Sequence, residues 1–178
     1  ETLYRSEGIG LAAPQIGKSI RLFVVDGEPL AEDEPQFAGF KKAFINARIS
    51  EKTGDFELMT EGCLSIPNLR EEVNREARIR LTWFDEKWEF HDEVFEGYIA
   101  RVIQHEYDHL DGVLFTDKVS PLRRRLLKGK LNAMPLSFPF NEGMTLPTAF
   151  AAPVVVGMIF CAAERIRRKS LWIISKIC

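Results

Sequence analysis

Between residues 77 and 85 every second position is apolar: Ile79, Leu81 and Trp83 alternate with Arg78, Arg80 and Thr82. A period of two marks a half-buried strand, and the stretch 87–95 reads as its antiparallel partner. Upstream, 21–26 and 43–49 are short apolar runs that predict strands. They are separated by the acidic, proline-containing stretch 28–39, which predicts a loop. A further strand-like run, 53–59, leads into a tight Gly62-Cys63 turn stiffened by Pro67. At 97–110 the pattern becomes helical, with Gly112 just past the end. Ser120-Pro121 then opens a second, basic helix through about Leu131, serine serving as cap and proline as first helical residue. No internal repeat is evident. Strands surrounding a buried helix predict an α+β fold.

Composition narrows the class. A chain of 178 residues can bury a sizeable core as one domain. Its 46% hydrophobic and 28% charged residues are those of a globular protein. A formal net charge of −2 gives no reason to expect a specific nucleic-acid partner. Three cysteines in unrelated contexts make no disulfide framework, and the reading is of a cytoplasmic protein.

The helix carries the chemistry. In His105-Glu106-Tyr107-Asp108-His109 the two histidines lie four apart, on one helix face, where two imidazoles can point at one ion. Glu106 beside them is placed to move a proton rather than to bind the ion. The third histidine, His91, lies in a strand-like stretch and reads as solvated. Two common metallopeptidase completions fail: Phe115 stands where a third histidine would be needed, and no glutamate follows until Glu142. A thiolate remains. Cys161 lies in an apolar run and Cys178 is terminal, so Cys63, in Glu61-Gly62-Cys63-Leu64-Ser65, is the best candidate. A third stretch, Gly8-Ile9-Gly10-Leu11-Ala12-Ala13-Pro14-Gln15-Ile16-Gly17, has little side-chain bulk, can pass close to a substrate, and offers the amide of Gln15. It lacks the lysine and third glycine of a phosphate loop.

These segments together resemble peptide deformylase. The family's Gly-x-Gly-x-Ala-Ala-x-Gln loop, Glu-Gly-Cys-x-Ser turn and His-Glu-x-Asp-His helix appear in order at 8–15, 61–65 and 105–109, and Gln104 and Leu110-Asp111-Gly112 fit the same pattern. The resemblance implies antiparallel β-strands around a central metal-binding helix. It implies Cys63, His105 and His109 as ligands of one divalent metal ion, ferrous iron by preference, with zinc, nickel or cobalt as alternatives. Ligand softness alone would suggest zinc. The reaction implied is hydrolysis of the formyl group from the N-terminal formylmethionine of newly made chains. Glu106 would carry the proton, and Gln15 with the backbone N–H of Leu64 would hold the oxyanion. Ile9 and Gly10 would pair with the peptide backbone, Arg70 would meet the peptide, and Tyr98, Arg101 and Val102 would lie near the pocket for the methionine side chain. Glu61 and Arg75 match a supporting ion pair. Partners would be formylmethionyl nascent peptides and, transiently, the ribosome.

Both ends depart from the family. The chain begins at Glu1 without methionine, where family members carry a helix and strand before the first motif. The resemblance therefore implies an N-terminally incomplete catalytic domain at 1–133, with organellar targeting left open. From 134 to 178 nothing resembles the family. That tail holds Glu142 and Glu164 against five bases, and 146–163 is uncharged, near the lower limit for a membrane span. Two prolines in the run argue against a span. An out-of-frame or fused end, an extra packed tail and a membrane anchor stay open. Two rival functions also stay open: another metal-dependent hydrolase, such as a peptidase, and an inactive relative that binds peptide or ribosome.

Overall fold

The alternation at 79–83 becomes burial on one face of a sheet: Ile79 and Leu81 are fully buried and Trp83 nearly so, while Arg78 and Arg80 face solvent. The computed structural model describes Leu3 and residues 8–133; the run 146–163, Cys161 and Cys178 lie outside the described residues. Five strands, β1 (Gly10–Ala12), β2 (Leu22–Asp26), β3 (Lys41–Cys63), β4 (Ile66–Phe84) and β5 (Phe90–Glu96), form one antiparallel sheet in sequential order. Helix α1 (Gly97–Leu110) packs against β1, β2, β4 and β5, and helix α2 (Pro121–Ala133) follows.

Two expectations need correction. The runs at 43–49 and 53–59 are parts of one long strand, β3, which pairs with β4 through several register shifts. Residues 50–56 of that strand are exposed whichever way they point. Their hydropathy therefore carries no period, and backbone pairing with β4 keeps them extended. The stretch 28–39 is more than a loop: it holds two short 3-10 turns, Glu28–Leu30 and Pro35–Phe37, and buries Phe37 completely.

One apolar cluster joins the sheet to α1, with Phe23, Phe44, Trp83 and Phe95 from the strands and Ala100, Val102 and Ile103 from the helix. Phe23 and Phe44 stack with centroids 4.6 Å apart. A second cluster, built from Ile66, Leu69, Val73, Phe115, Val119 and Leu127, lies under the Cys63 turn and receives α2. Ser120 caps α2, its Oγ accepting from the Arg123 N–H. Arg123 also forks onto buried Glu71 of β4, at 2.6 and 2.9 Å. The opposite side of α1 is buried as well, yet it carries Arg101, Gln104, Glu106, Asp108 and His109. Burying so many polar groups is costly unless each is paired or put to use.

Candidate metal centre

Cys63 ends β3 at a two-residue turn, Leu64-Ser65, and pairs across it with Ile66. The turn thus follows Gly62-Cys63 rather than containing it. The ladder slips beside it: Gly62 pairs with Arg70 and Cys63 with Ile66, leaving 67–69 without partners on β3. Asn68 in that bulge takes a left-handed φ of 60°. A bulge of this kind re-aims a neighbouring side chain, and Cys63 faces α1. His105 and His109, one turn apart, meet it there. The candidate ligand atoms of Cys63, His105 and His109 all lie within 4.8 Å of one another. Sγ of Cys63 is 3.3 Å from Nε2 of His109. Sulfur and nitrogen sharing a tetrahedral ion would stand about 3.6 Å apart from ordinary bond lengths. A thiolate with two imidazoles is also a donor set suited to a borderline or soft divalent metal. The residues fit a metal.

The groups behind the ligands are fixed in turn. His105 Nδ1 lies 2.9 Å from Oε2 of Glu61, which leaves Nε2 free for an ion. Glu61 also receives Nε and Nη2 of Arg75 at 2.6 and 2.8 Å and Nη1 of Arg101 at 3.1 Å. Burial alone would raise the Glu61 pKa; its bonds with Arg75 and His105 outweigh that and hold it well below the usual carboxylate range. Arg75, 2% exposed, reaches on to Oδ2 of Asp108 at 2.6 Å, and Lys118 approaches the other oxygen at 3.4 Å. Burial disfavours a charge on His109 and, with the charge of His105, lowers its pKa to about 3. Burial has the same tendency at His105, but Cys63, Glu61 and Glu106 around it outweigh it and raise that pKa.

Glu106 is buried beside this group, and its Oε2 has no hydrogen-bond partner among the described residues. Burial lifts its pKa to about 7, the charge of His105 opposing. The 8–15 loop passes directly over it. A Cβ on Gly10 would fall 2.4 Å from Oε1 of Glu106, so only glycine lets β1 approach so closely. Gln15, 5% exposed, is held by its own loop: Oε1 accepts from the Ala12 N–H at 2.8 Å. Its Nε2 is thereby turned toward Ser65 Oγ at 3.2 Å and Cys63 Sγ at 3.7 Å. The three segments singled out in the sequence therefore converge, and Leu64 lies at their meeting point in the turn.

The other residues of interest are spread more widely. Ile9 packs against the main core cluster, to which Val102 belongs, and Gly10 lies on the edge strand β1. Tyr98 is edge-on to Phe37 at 5.4 Å. Arg101 is engaged with Glu61, and Arg70 is exposed across the ladder from Gly62. His91 stacks on Trp83 and bonds Asp85 at 3.0 Å. Asp85, Glu89 and His91 lie close together. Asp85 there serves the β4–β5 turn, accepting the N–H groups of Lys87 and Glu89. Ser65 stood in the sequence only as the last residue of the Glu-Gly-Cys-x-Ser motif, with no role attached, and Lys118 had no sequence signal; the structure sets them beside Gln15 and Asp108.

Known proteins resemble this chain in sequence and fold. The family model for polypeptide deformylase matches residues 1–125. Peptide deformylase of Christiangramia forsetii is 49% identical over 138 residues, covering 74% of this chain and 70% of the relative. That of Flavobacterium johnsoniae is 47% identical over 149 residues, covering 80% and 76%. Among solved structures, a Synechococcus elongatus peptide deformylase in complex with actinonin superposes with a TM-score of 0.63 at 40% identity, covering 72% of this chain and 68% of that one. The peptide deformylase from Thermus thermophilus gives 0.63 at 40% identity, with 74% of each chain covered. With a family model spanning most of its length and relatives at nearly half identity, this chain belongs to the polypeptide deformylase family.

Proposed function

We propose that Cys63, His105 and His109 hold one divalent metal ion, ferrous iron by preference with zinc, nickel or cobalt as substitutes, and that Glu106, Gln15 and Leu64 act beside it. The enzyme is a hydrolase that removes the formyl group from the N-terminal formylmethionine of newly made proteins, releasing formate. The observation that carries the site assignment is the approach of one thiol and two imidazoles to within 4.8 Å, next to a buried carboxylate whose Oε2 has no hydrogen-bond partner among the described residues.

When bound, the ion supplies a Lewis acid and lowers the pKa of a water molecule at the site. The protein's own groups do the rest. Glu106, with a pKa near neutrality, takes a proton as water adds to the formyl carbon. It returns that proton to the nitrogen as the carbon–nitrogen bond breaks, leaving formate and a free amine. The carbonyl oxygen gains charge during the addition. Nε2 of Gln15 and the N–H of Leu64 donate to it there, the Gln15 amide already oriented by Ala12. Glu61 holds the ring of His105 in place throughout.

The substrate backbone runs along Ile9 and Gly10 as an added strand on the edge of β1. Ile9 and Val102 supply the apolar wall for methionine. Tyr98 is held edge-on by Phe37 near that wall, and Arg101 is engaged with Glu61. Arg70, exposed on β4, meets the rest of the peptide. Residues 1–133 form the catalytic unit, and 134–178 are a tail on which the site does not depend. The setting is cytoplasmic, with transient encounter of the ribosome where formylated chains emerge. No helix among the described residues is long and apolar enough to cross a membrane.

Glu106→Gln tests the reading. Metal content should equal the parent's while formate release from an N-formylmethionyl peptide falls by about a hundredfold or more. A metal-free variant would make Glu106 a ligand, and unchanged turnover would remove it from the proton path.

A further inference from the structure

Arg101 sits on α1 one turn before His105 and is 4% exposed. A guanidinium so deeply buried must place its donors well or destabilise the fold. Nη1 donates to Oε1 of Glu61 at 3.1 Å and to the Val73 carbonyl at 2.9 Å, and Nη2 donates to the Glu57 carbonyl. Those acceptors come from both strands of the β3–β4 hairpin. Glu61 already has a guanidinium in Arg75, which contacts both of its oxygens. Neutralising Glu61 is therefore not what Arg101 uniquely adds. Arg75, through Glu61 and Asp108, and Gln104, through the Glu76 carbonyl, also join hairpin and helix; what Arg101 adds is a bond to a backbone carbonyl on each strand, Val73 on β4 and Glu57 on β3.

The Cys63 end of the hairpin rests on the second apolar cluster, and Arg101 adds its tie next to the exposed middle of β3. Residues 50–56 of β3 are exposed and bring no apolar packing to that part of the strand. Yet its far end must hold Cys63 within bonding range of an ion shared with two residues of α1. We propose that Arg101 is a positioning residue for the metal centre. Through Glu57 and Val73 it locks the hairpin carrying Cys63 onto the helix carrying His105 and His109, and through Glu61 it steadies the ring of His105. The inference rests on the metal-site reading above.

The test uses the full chain loaded with Co2+, comparing the parent with Arg101→Met and Arg101→Lys. Methionine keeps the bulk and loses every donor. Lysine keeps the charge, but a single ammonium cannot reproduce the fork. Four experiments are made: absorption spectroscopy of the thiolate-to-cobalt and d–d bands, stripping of Co2+ by excess chelator, steady-state kinetics for kcat and KM on a formylmethionyl peptide, and thermal melting of the metal-free protein. Arg101→Met should show shifted bands and lose cobalt about 10- to 100-fold faster, the range expected when a group supporting a ligand is removed. Its kcat should fall while KM stays within about twofold. Arg101→Lys should fall between it and the parent. Parent-like bands and stripping rate in Arg101→Met would overturn the proposal. So would a rise in KM alone, which would assign Arg101 to the substrate pocket. If Arg101→Met does not fold, Arg101→Lys decides: faster stripping supports the proposal, and a parent-like rate overturns it. A parent that binds no cobalt would instead sink the metal-site reading itself.

Discussion

Gly10→Ala is the smallest change that should disable the site without touching a ligand. Its new methyl carbon would stand 2.4 Å from Oε1 of Glu106 and 2.7 Å from both Cδ and Cγ. Ordinary contact between such atoms needs about 3.5 Å or more, so roughly 1 Å of movement is required. The backbone at residue 10 has little freedom to supply it, being paired with Val25 in the sheet. Glu106 must give way, and it is the group proposed to carry the proton. A misplacement of about 1 Å can cost about a hundredfold in rate. Complete loss of a general acid–base sets an upper limit of about 10²–10⁴-fold. Overpacking a buried contact should also cost about 1–3 kcal/mol of stability. Metal content should not change, because no ligand atom lies in the clash. The assay is formate release from an N-formylmethionyl peptide, with metal content and urea denaturation measured on the same preparation. A kcat within about twofold of the parent, in a folded and metal-replete variant, would refute the reasoning. It would mean either that Glu106 relaxes freely or that its position is immaterial.

Two further substitutions separate the roles of neighbouring groups. Gln15→Ala should leave metal content unchanged and lower kcat by about a hundred- to a thousandfold with little effect on KM, because its hydrogen bond strengthens only as the oxyanion forms; steady-state kinetics would show an unchanged kcat if the amide plays no part. Arg75→Met removes the cation between Glu61 and Asp108, both buried, and should destabilise the protein by about 3–5 kcal/mol in chemical denaturation; a loss under about 1 kcal/mol would mean that Arg101 and Lys118 suffice to hold the two carboxylates.

Where the sequence was legible, a physical pattern was local. The alternation 78–83 and the helix 97–110 with its following glycine were readable because burial on one face imposes a period within a few residues. Capping at Ser120 was readable because its hydrogen-bond partner, the Arg123 N–H, lies only three residues on. The length of β3 was not. Its exposed middle has no buried face to impose a period, and its pairing partner lies up to about 40 residues away in the chain. Phe37 was hidden in an acidic, proline-bearing stretch, although one fully buried ring anchors it. At the site, two histidines four apart predicted their own convergence. Cys63 came from elimination and from the family resemblance, since nothing local in a turn says which helix it will face. Arg101 shows the limit most clearly. The resemblance suggested a place near the substrate pocket, while its bonds go to Glu57, Glu61 and Val73, all at least 28 positions away.

The most direct test of the account is the metal content of Cys63→Ser, prepared without oxygen beside Cys161→Ser as a control. A hydroxyl is a far weaker ligand than a thiolate. The account predicts that Cys63→Ser loses most of its metal and its deformylation, while Cys161→Ser keeps one ion per chain and parent-like turnover. Full metal occupancy in Cys63→Ser, or loss of the ion in Cys161→Ser alone, would contradict it.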